Sequence, residues 1–540
     1  MKTVVLADSS DPVGYQRFEK AILDAIDFYQ FYYSICDISH TIIDHVELKD
    51  TSLIILAQEG LGRKLGPADW RAILKQVASG AGLAVVDASV SSFESHLLKD
   101  LGIFSFKSAN VEEIITEDSW ITAFSAETHV CLKQPTLSQI PDDFSEEWKP
   151  FLQDGSKRPI ALNRKLGKGR IVVFFLSSGI WHDLYLGRGC GLDGVFWRAL
   201  VYAARKPFIF KGMPPFVACR VNDASGSGES GFSYLDALNE AGFIPHVGLY
   251  IRDIERQHVG ALREKFHEGK AEFSAHAFSA RDDIWPSPIY LKNDGTEFTP
   301  SEMKRNFDEI DTLFDSWNIK PAQTINAHRS QLGLASIPFL KERKQTFAMH
   351  LIRPGKLFSD VRAHRWEPKP FGRPEFCLDS FEEAREIFNG VSRPARQDAQ
   401  GATGDFLSRG RPAVEEGLFE IMRGLENLTF GCITINEPSI NALAPGEFER
   451  IIHQVYLQLR RVPHIFKPYD FILHYAKNRT DSLIRTYSFE NNRLTVTLVG
   501  KSTLNQFLFL FHESNSDIKQ SFLEIPPFER ILELDFKIPR

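Results

Sequence analysis

Short apolar runs alternate with stretches of helical spacing through the first third of the chain. Residues 53–57 (LIILA) and 83–87 (LAVVD) have the length and composition of buried strands. Between them, PADWRAILKQVASG spaces its apolar residues three and four apart and stops at Gly80, as a helix does. Strand, helix, strand in that order predicts a parallel sheet. Residues 110–160 are more polar and rich in turn formers. NRKLGKGRIVVFFLSS then supplies another buried strand behind a glycine turn, and DGVFWRALVYAARK a helix. The segment KPFIFKGMPPF (206–216), with two consecutive prolines, reads as a connector into a second domain.

From residue 216 the alternation restarts. FVACRVND, SYLDALNEAGF, HVGLYI, VGALREKFHEG, AEFSAH, MKRNFDEIDTLFDSW, QTINAH, IPFLKERK and FAMHLI follow one another as strands and helices in turn. Repeated units of this length predict a β/α barrel or an open parallel sheet. Three of the strand runs close on polar residues: Asn222 and Asp223, then His276, then His328. In parallel α/β folds that carboxyl-terminal edge is where ligands bind. Residues 391–411 lack any apolar period and read as a long loop or a lid over the edge. AVEEGLFEIMRGL, LTFGCITINE and PGEFERIIHQVYLQLRR complete the second domain, and IRTYSFE, RLTVTLVG and NQFLFLFHE predict a small antiparallel sandwich. The expected division is a parallel-sheet α/β domain over 1–205, a β/α domain over 206–465 and a C-terminal β-sandwich over 466–540.

Composition narrows the function classes. At 540 residues the chain exceeds what one core of about 250–300 residues organises, in keeping with several domains. Hydrophobic residues are 43% and charged residues 25%, and the mean hydropathy is −0.20, values of a water-soluble globular chain. Sixty-three Lys plus Arg against 70 Asp plus Glu leave a net charge of −7, without the basic excess that phosphate backbones attract, so nucleic acid is not an expected partner. The 12% of aromatic residues permits stacking on sugar rings. Six cysteines without a CxxC pair suggest neither a zinc ribbon nor a disulfide framework. The N-terminus lacks the apolar stretch of a secretory signal, and no run approaches 18 apolar residues. A cytoplasmic location with no membrane partner is the expectation.

The candidate chemistry lies at the strand ends of the second domain, in Arg220-Val221-Asn222-Asp223, in Ser274-Ala275-His276-Ala277-Phe278-Ser279-Ala280, in Arg329-Ser330-Gln331-Leu332-Gly333 and in Ile435-Asn436-Glu437. In this order the segments resemble the motifs of the polysaccharide deacetylase (NodB homology) superfamily. The resemblance implies an irregular β/α barrel and metal-dependent removal of acyl groups from carbohydrate. It places the base at Asn222, metal ligands at Asp223 and His276, the family's arginine turn at Arg329 and the acid at Asn436. The second histidine of the family's His-x-x-x-His falls on Ala280. The first domain resembles the class I glutamine amidotransferase-like fold, a flavodoxin-like sheet. Asp87 and Ala88 stand where that family's nucleophilic cysteine is expected, so an inert domain is implied.

The departures matter chemically. An asparagine cannot act as a base, an alanine cannot bind metal, and Asn436 cannot give a proton as an imidazolium does. His328 is the residue that could complete a triad with Asp223 and His276 for zinc or a similar divalent metal, against the plainer reading of hydrogen-bonded rim histidines. Glu437 could replace the missing base, against the plainer reading of an acidic residue at a helix N-terminus. Trp285 and Tyr290, in the proline-stiffened IWPSPIY, are candidate sugar platforms, or loop aromatics packing on themselves. The glycine-rich pieces at 60–66, 166–170 and 225–231 lack the patterns of phosphate-binding loops and read as turns. Three functions stay open: an acyl-sugar hydrolase with an altered centre, active or inactive, a non-catalytic barrel that binds a glycan or a protein, and a glycoside hydrolase using Asp223 with Glu437 as paired carboxylates.

Overall fold

A computed structural model describes the chain except for residues 44–47, 124–127, 182–191, 229–230, 282–286, 329–331, 350–373, 379–384, 389–412, 427, 515–516 and 539–540. The excursion at 391–411, Trp285 and Arg329 therefore lie outside the described residues. Packing divides the chain into two compact units. One combines residues 1–212 with 478–540, and the other comprises residues from 213 to 477.

In the first unit β1 (Lys2–Ala7), β2 (Tyr33–Asp37), β3 (Thr51–Leu56), β4 (Gly82–Val86), β5 (Ile103–Thr116), β6 (His129–Phe144), β7 (Lys149–Asp154), β8 (Pro159–Leu166) and β9 (Gly169–Phe174) form one sheet, in the order β2-β1-β3-β4-β9-β8-β7-β5-β6. The first five are parallel and the remainder antiparallel. The parallel half follows from continuous apolar runs: every residue of β3 and β4 is buried. The helix Pro67–Ala78 starts on a proline, the Asp69 carboxylate accepts the Gly66 amide at 2.8 Å, and the helix buries Trp70, Ile73 and Val77. The antiparallel half is where the polar, turn-rich reading of residues 110–160 gives way: β5 and β6 pair along most of their length, with exposed and buried positions mixed on β5.

The second unit opens with the strands that carry the candidate residues. After β10 (Phe208–Lys211) come β11 (Phe216–Ala224), β12 (Pro245–Tyr250), β13 (Glu272–Ala277), β14 (Thr324–Ile325), β15 (Phe347–Ala348), β16 (Pro374–Cys377), β17 (Arg385–Phe388), β18 (Gly431–Asn436) and β19 (Ile465–Phe466). A parallel sheet runs β13-β12-β11-β18, with β19 beside the start of β11. A second sheet pairs β14 parallel to β15 and continues antiparallel through β16 and β17. Among the described residues these pairings form separate sheets, without a hydrogen-bonded closure into a barrel.

Each central strand is two-faced although nearly all of it is buried. Val217, Cys219, Val221, Val247, Leu249, Phe273, Ala275, Ile325, Ile433 and Ile435 belong to the apolar core with helix residues such as Leu235, Leu262, Phe307, Phe314 and Val455. The alternate positions are Arg220, Asn222, His246, Gly248, Tyr250, Glu272, Ser274, His276, Thr324, Thr434 and Asn436. Part of this polar face is paired sideways, strand to strand, by hydrogen bonds such as that between His246 and Ser274 at 2.9 Å.

The C-terminal strands are β20 (Ser482–Glu490), β21 (Arg493–Ser502), β22 (Gln506–Ser514), β23 (Asp517–Ile525) and β24 (Phe528–Lys537). They form two three-stranded antiparallel sheets, β20-β21-β24 and β10-β22-β23, which share an apolar cluster including Ile209, Tyr487, Val496, Leu508 and Ile525. Two expectations change here. The segment read as a connector supplies β10, whose Phe210 stacks on Phe509 and Phe511 at 5.5 Å each. The strands read as a separate third domain cluster with the first 212 residues.

Candidate functional site

Asp223, His276 and His328 converge at the carboxyl ends of the parallel strands. One ligand-type atom from each lies within 4.8 Å of the others. Asp223 sits in the left-handed region at φ 55, at a register irregularity one residue before the end of β11, a conformation asparagine and aspartate tolerate better than most residues. Its Oδ1 accepts from Tyr250 Oη at 2.8 Å and lies 3.1 Å from His276 Nε2 and 3.6 Å from His328 Nε2. Burial opposes ionisation of Asp223, but the hydrogen bond and charge of His276, the charge of His328 and the Tyr250 hydroxyl outweigh it and bring the carboxyl down to about 2.

The other ring nitrogen of His276 settles its tautomer. Nδ1 lies 2.5 Å from the Asn326 carbonyl oxygen, which can only accept, so Nδ1 carries a hydrogen. In the neutral imidazole Nε2 then points a lone pair at the Asp223 carboxylate. A proton or a cation must stand between them, and a carbonyl-anchored histidine is the usual support of a metal ligand. Gly248 makes the approach feasible: a Cβ there would come within 2.8 Å of Asn326 Nδ2 and 2.9 Å of His276 Nδ1.

Beside the triad runs a chain of amides. Asn326 Nδ2 donates to Asn222 Oδ1 at 2.8 Å, and Asn222 Nδ2 donates to Asn436 Oδ1 at 3.1 Å. Asn222 and Asn436 are register partners on β11 and β18. Neither of these positions holds a group that takes or gives a proton near neutrality.

Glu437 is buried behind the loop that follows Asp223. Its carboxylate accepts from the Ser225 and Gly226 amides at 2.9 Å each, from Ser225 Oγ at 3.0 Å and from Tyr234 Oη at 2.9 Å. With both oxygens occupied by this nest of donors, Glu437 anchors the loop and does not present a base to the triad, nor the second carboxylate of a glycosidase pair. The Tyr290 platform is corrected as well. The ring is 2% exposed in the apolar core, and its hydroxyl donates to the Ala275 carbonyl at 2.9 Å. It lines the inner wall of a small cavity with His276, His328, Pro288 and Leu291, where no sugar could stack flat on it. The Ala280 amide donates to Asp253 at 2.7 Å, so the loop after His276 is held by a carboxylate.

Tyr250 and Asn326 are the site residues that the sequence reading missed. Both sit within two positions of the ends of runs already singled out: Tyr250 is the penultimate residue of HVGLYI, and Asn326 precedes His328 by two in QTINAH.

No family model matches the chain, and no curated protein does. Among solved structures, a cytoplasmic protein from Salmonella typhimurium LT2 is 11% identical, covering 37% of this chain and 98% of its own, with a TM-score of 0.27. A ThuA-like protein from Bacteroides uniformis is 13% identical over 38% of this chain and 89% of its own, TM-score 0.27. An exo-β-1,4-mannosidase from an Opitutaceae bacterium is 10% identical over 32% of this chain and 30% of its own, TM-score 0.23. Scores this low carry no argument about chemistry, which rests on the residues themselves. No described helix is long and apolar enough to cross a membrane.

Proposed function

We propose that the second unit is a carbohydrate-directed, deacetylase-like module that holds a divalent metal at Asp223, His276 and His328 and binds acylated sugar with little or no hydrolysis. The observation that carries this reading is the convergence of the three side chains, with His276 Nδ1 fixed by the Asn326 carbonyl. One carboxylate and two imidazoles suit zinc or a similar ion with open positions. When bound, such an ion supplies Lewis-acid polarisation of an acyl carbonyl. The protein's own part is mainly recognition. Asn222 and Asn436 offer amide groups to sugar hydroxyls or an acyl oxygen but cannot move a proton, and Glu437 is committed to its loop. The strand order β18-β11-β12-β13, then β14-β15, is compatible with an irregular barrel laid open in the described residues. A glycan-binding role is the same reading at zero turnover.

The test compares the intact protein with Asp223→Asn, which keeps the left-handed turn comfortable. Bound zinc is measured by elemental analysis, and acetate release from acetylated chito-oligosaccharides and acetylated xylan is followed with zinc or cobalt added. The variant is expected to lose one equivalent of zinc while both proteins release acetate near background, since each missing acid or base costs about 10²–10⁴ in rate. Unchanged zinc content would overturn the metal centre. Brisk release by the wild type, abolished in the variant, would overturn the low turnover.

A further inference from the structure

A second group of metal-competent side chains occupies the same polar face at the opposite ends of the strands. His246 is the second residue of β12, Glu272 the first of β13, and Asp470 the second of the helix Tyr469–Thr480. Their ligand-type atoms lie within 4.8 Å of one another. Glu272 and His276 are four strand residues apart, about 13 Å at ~3.3 Å per residue, so this group is separate from the triad.

The histidine points to a ligand. His246 is fully buried, its Nε2 lies 2.9 Å from Ser274 Oγ, and its Nδ1 has no hydrogen-bond partner. Nδ1 faces Glu272 Oε2 at 3.6 Å, too far for a hydrogen bond. Two ligands of one tetrahedral zinc, each bonded at ~2.0–2.1 Å, stand about 3.3–3.5 Å apart, close to that spacing. The carboxylates are pre-set in the same way. Asp470 accepts the Gln323 and Thr324 amides at 2.7 and 2.8 Å, and its own amide donates to Glu272 Oε2 at 3.2 Å. Each carboxylate retains lone pairs for a cation. The charged groups bearing on His246 are Asp470, Arg220 and His276. Arg220 is its register partner on β11, and its Nη1 reaches Met349 Sδ at 3.6 Å.

We propose that His246, Glu272 and Asp470 form a structural divalent-cation site, suited to zinc, that fastens the first turn of the helix Tyr469–Thr480 to β12 and β13. Ser274 orients the imidazole, and the amides of 323 and 324 orient Asp470. The site contributes to stability rather than to turnover, because its imidazole is fully buried and its carboxylates are held by backbone amides.

The experiment uses the full-length chain carrying Asp223→Asn, alone and with His246→Gln or Glu272→Gln, dialysed against zinc and then metal-free buffer. The Asp223→Asn protein is expected to keep one zinc per chain, and its cobalt form to show the visible absorption of a low-coordinate ion. Its melting temperature should rise on the order of a few degrees with zinc. All three signals should vanish when either second substitution is added, and circular dichroism shows whether those chains fold. Retention of zinc by the folded double variants would overturn the inference. So would absence of zinc from Asp223→Asn alone, an outcome that leaves the triad reading intact. Zinc kept by wild type and Asp223→Asn equally, but lost with His246→Gln, would support this site and remove the other.

Discussion

Glu437 shows how much a single residue's meaning depends on its donors. From the chain alone it is an acidic residue at the end of an apolar strand, next to Pro438, where a helix-start charge is the plainer reading and a base the alternative, and it does begin the helix Glu437–Asn441. In the folded protein it is 1% exposed and receives two backbone amides, a serine hydroxyl and a tyrosine hydroxyl. Burial and the neighbouring Glu437 charge push the Tyr234 phenol up, which keeps it a donor to that carboxylate at all ordinary pH. Glu437→Ala would strand these donors and leave a cavity, at a cost of about 2–4 kcal/mol. Urea unfolding of the variant is expected to show that loss, whereas a residue acting only as a base would leave the unfolding midpoint in place. Asp223, His276 and His328 were legible because a polar side chain closing an apolar strand run is conspicuous. Tyr250 and Asn326 were not, because a tyrosine ending a strand reads as packing and an asparagine after one reads as a turn.

At the scale of elements, the helices were easier to read than the polar face of the strands. The helix Pro300–Trp317, read from residue 303 on its apolar spacing, starts three residues earlier on Thr299, Pro300 and Glu302 and buries Met303, Phe307, Ile310, Phe314 and Trp317. Thr299 Oγ1 accepts the Glu302 amide, while the Glu302 carboxylate accepts the Thr299 amide at 2.7 Å. That amide, with the Thr299 hydroxyl and Lys292, holds the Glu302 carboxyl down at about 2. Its folded pKa lies below the unfolded value, so the contribution of this cap is complete above about pH 4.5 and fades as pH falls toward 2. Thr299→Ala is expected to cost about 1 kcal/mol at pH 7 and less at pH 3, measured by denaturation at the two pH values. The strands hid their second face for a different reason. Small or amphipathic residues such as Ser274, Gly248, Thr434 and Tyr250 alternate with Val, Leu and Ile, so each run reads as continuously buried, which it is, without revealing that one side is held by hydrogen bonds. In β5 the mixture of exposed and buried positions erased the strand signal altogether.

Over the whole molecule, chain order and compact units do not coincide. A division made at changes of local pattern cannot detect that β10, four residues beside a diproline segment, pairs with β22 about 300 residues later. The C-terminal strands are tied into the first unit by more than that pairing. The terminal amine of Met1 donates to the Tyr487 carbonyl at 2.6 Å, Trp120 Nε1 donates to the Ile518 carbonyl at 3.2 Å, and Arg170 pairs with Glu513. Lys211, fully buried, donates from Nζ to the Arg479 and Ser482 carbonyls at 2.9 and 2.7 Å and to the Ser482 hydroxyl. Removing residues 482–540 would therefore uncover Ile209 and the stacked ring of Phe210, side chains whose burial is worth about 1.5–3 kcal/mol each, and leave Lys211 without its carbonyl partner at 482. The shortened chain is expected to bind a hydrophobic dye and to melt earlier in the part containing residues 1–212, while zinc uptake dependent on Asp223 persists in the second unit. An unchanged melting transition would mean that the C-terminal strands are an independent appendage after all, and the assignment of β10 to their sheet would fall with it.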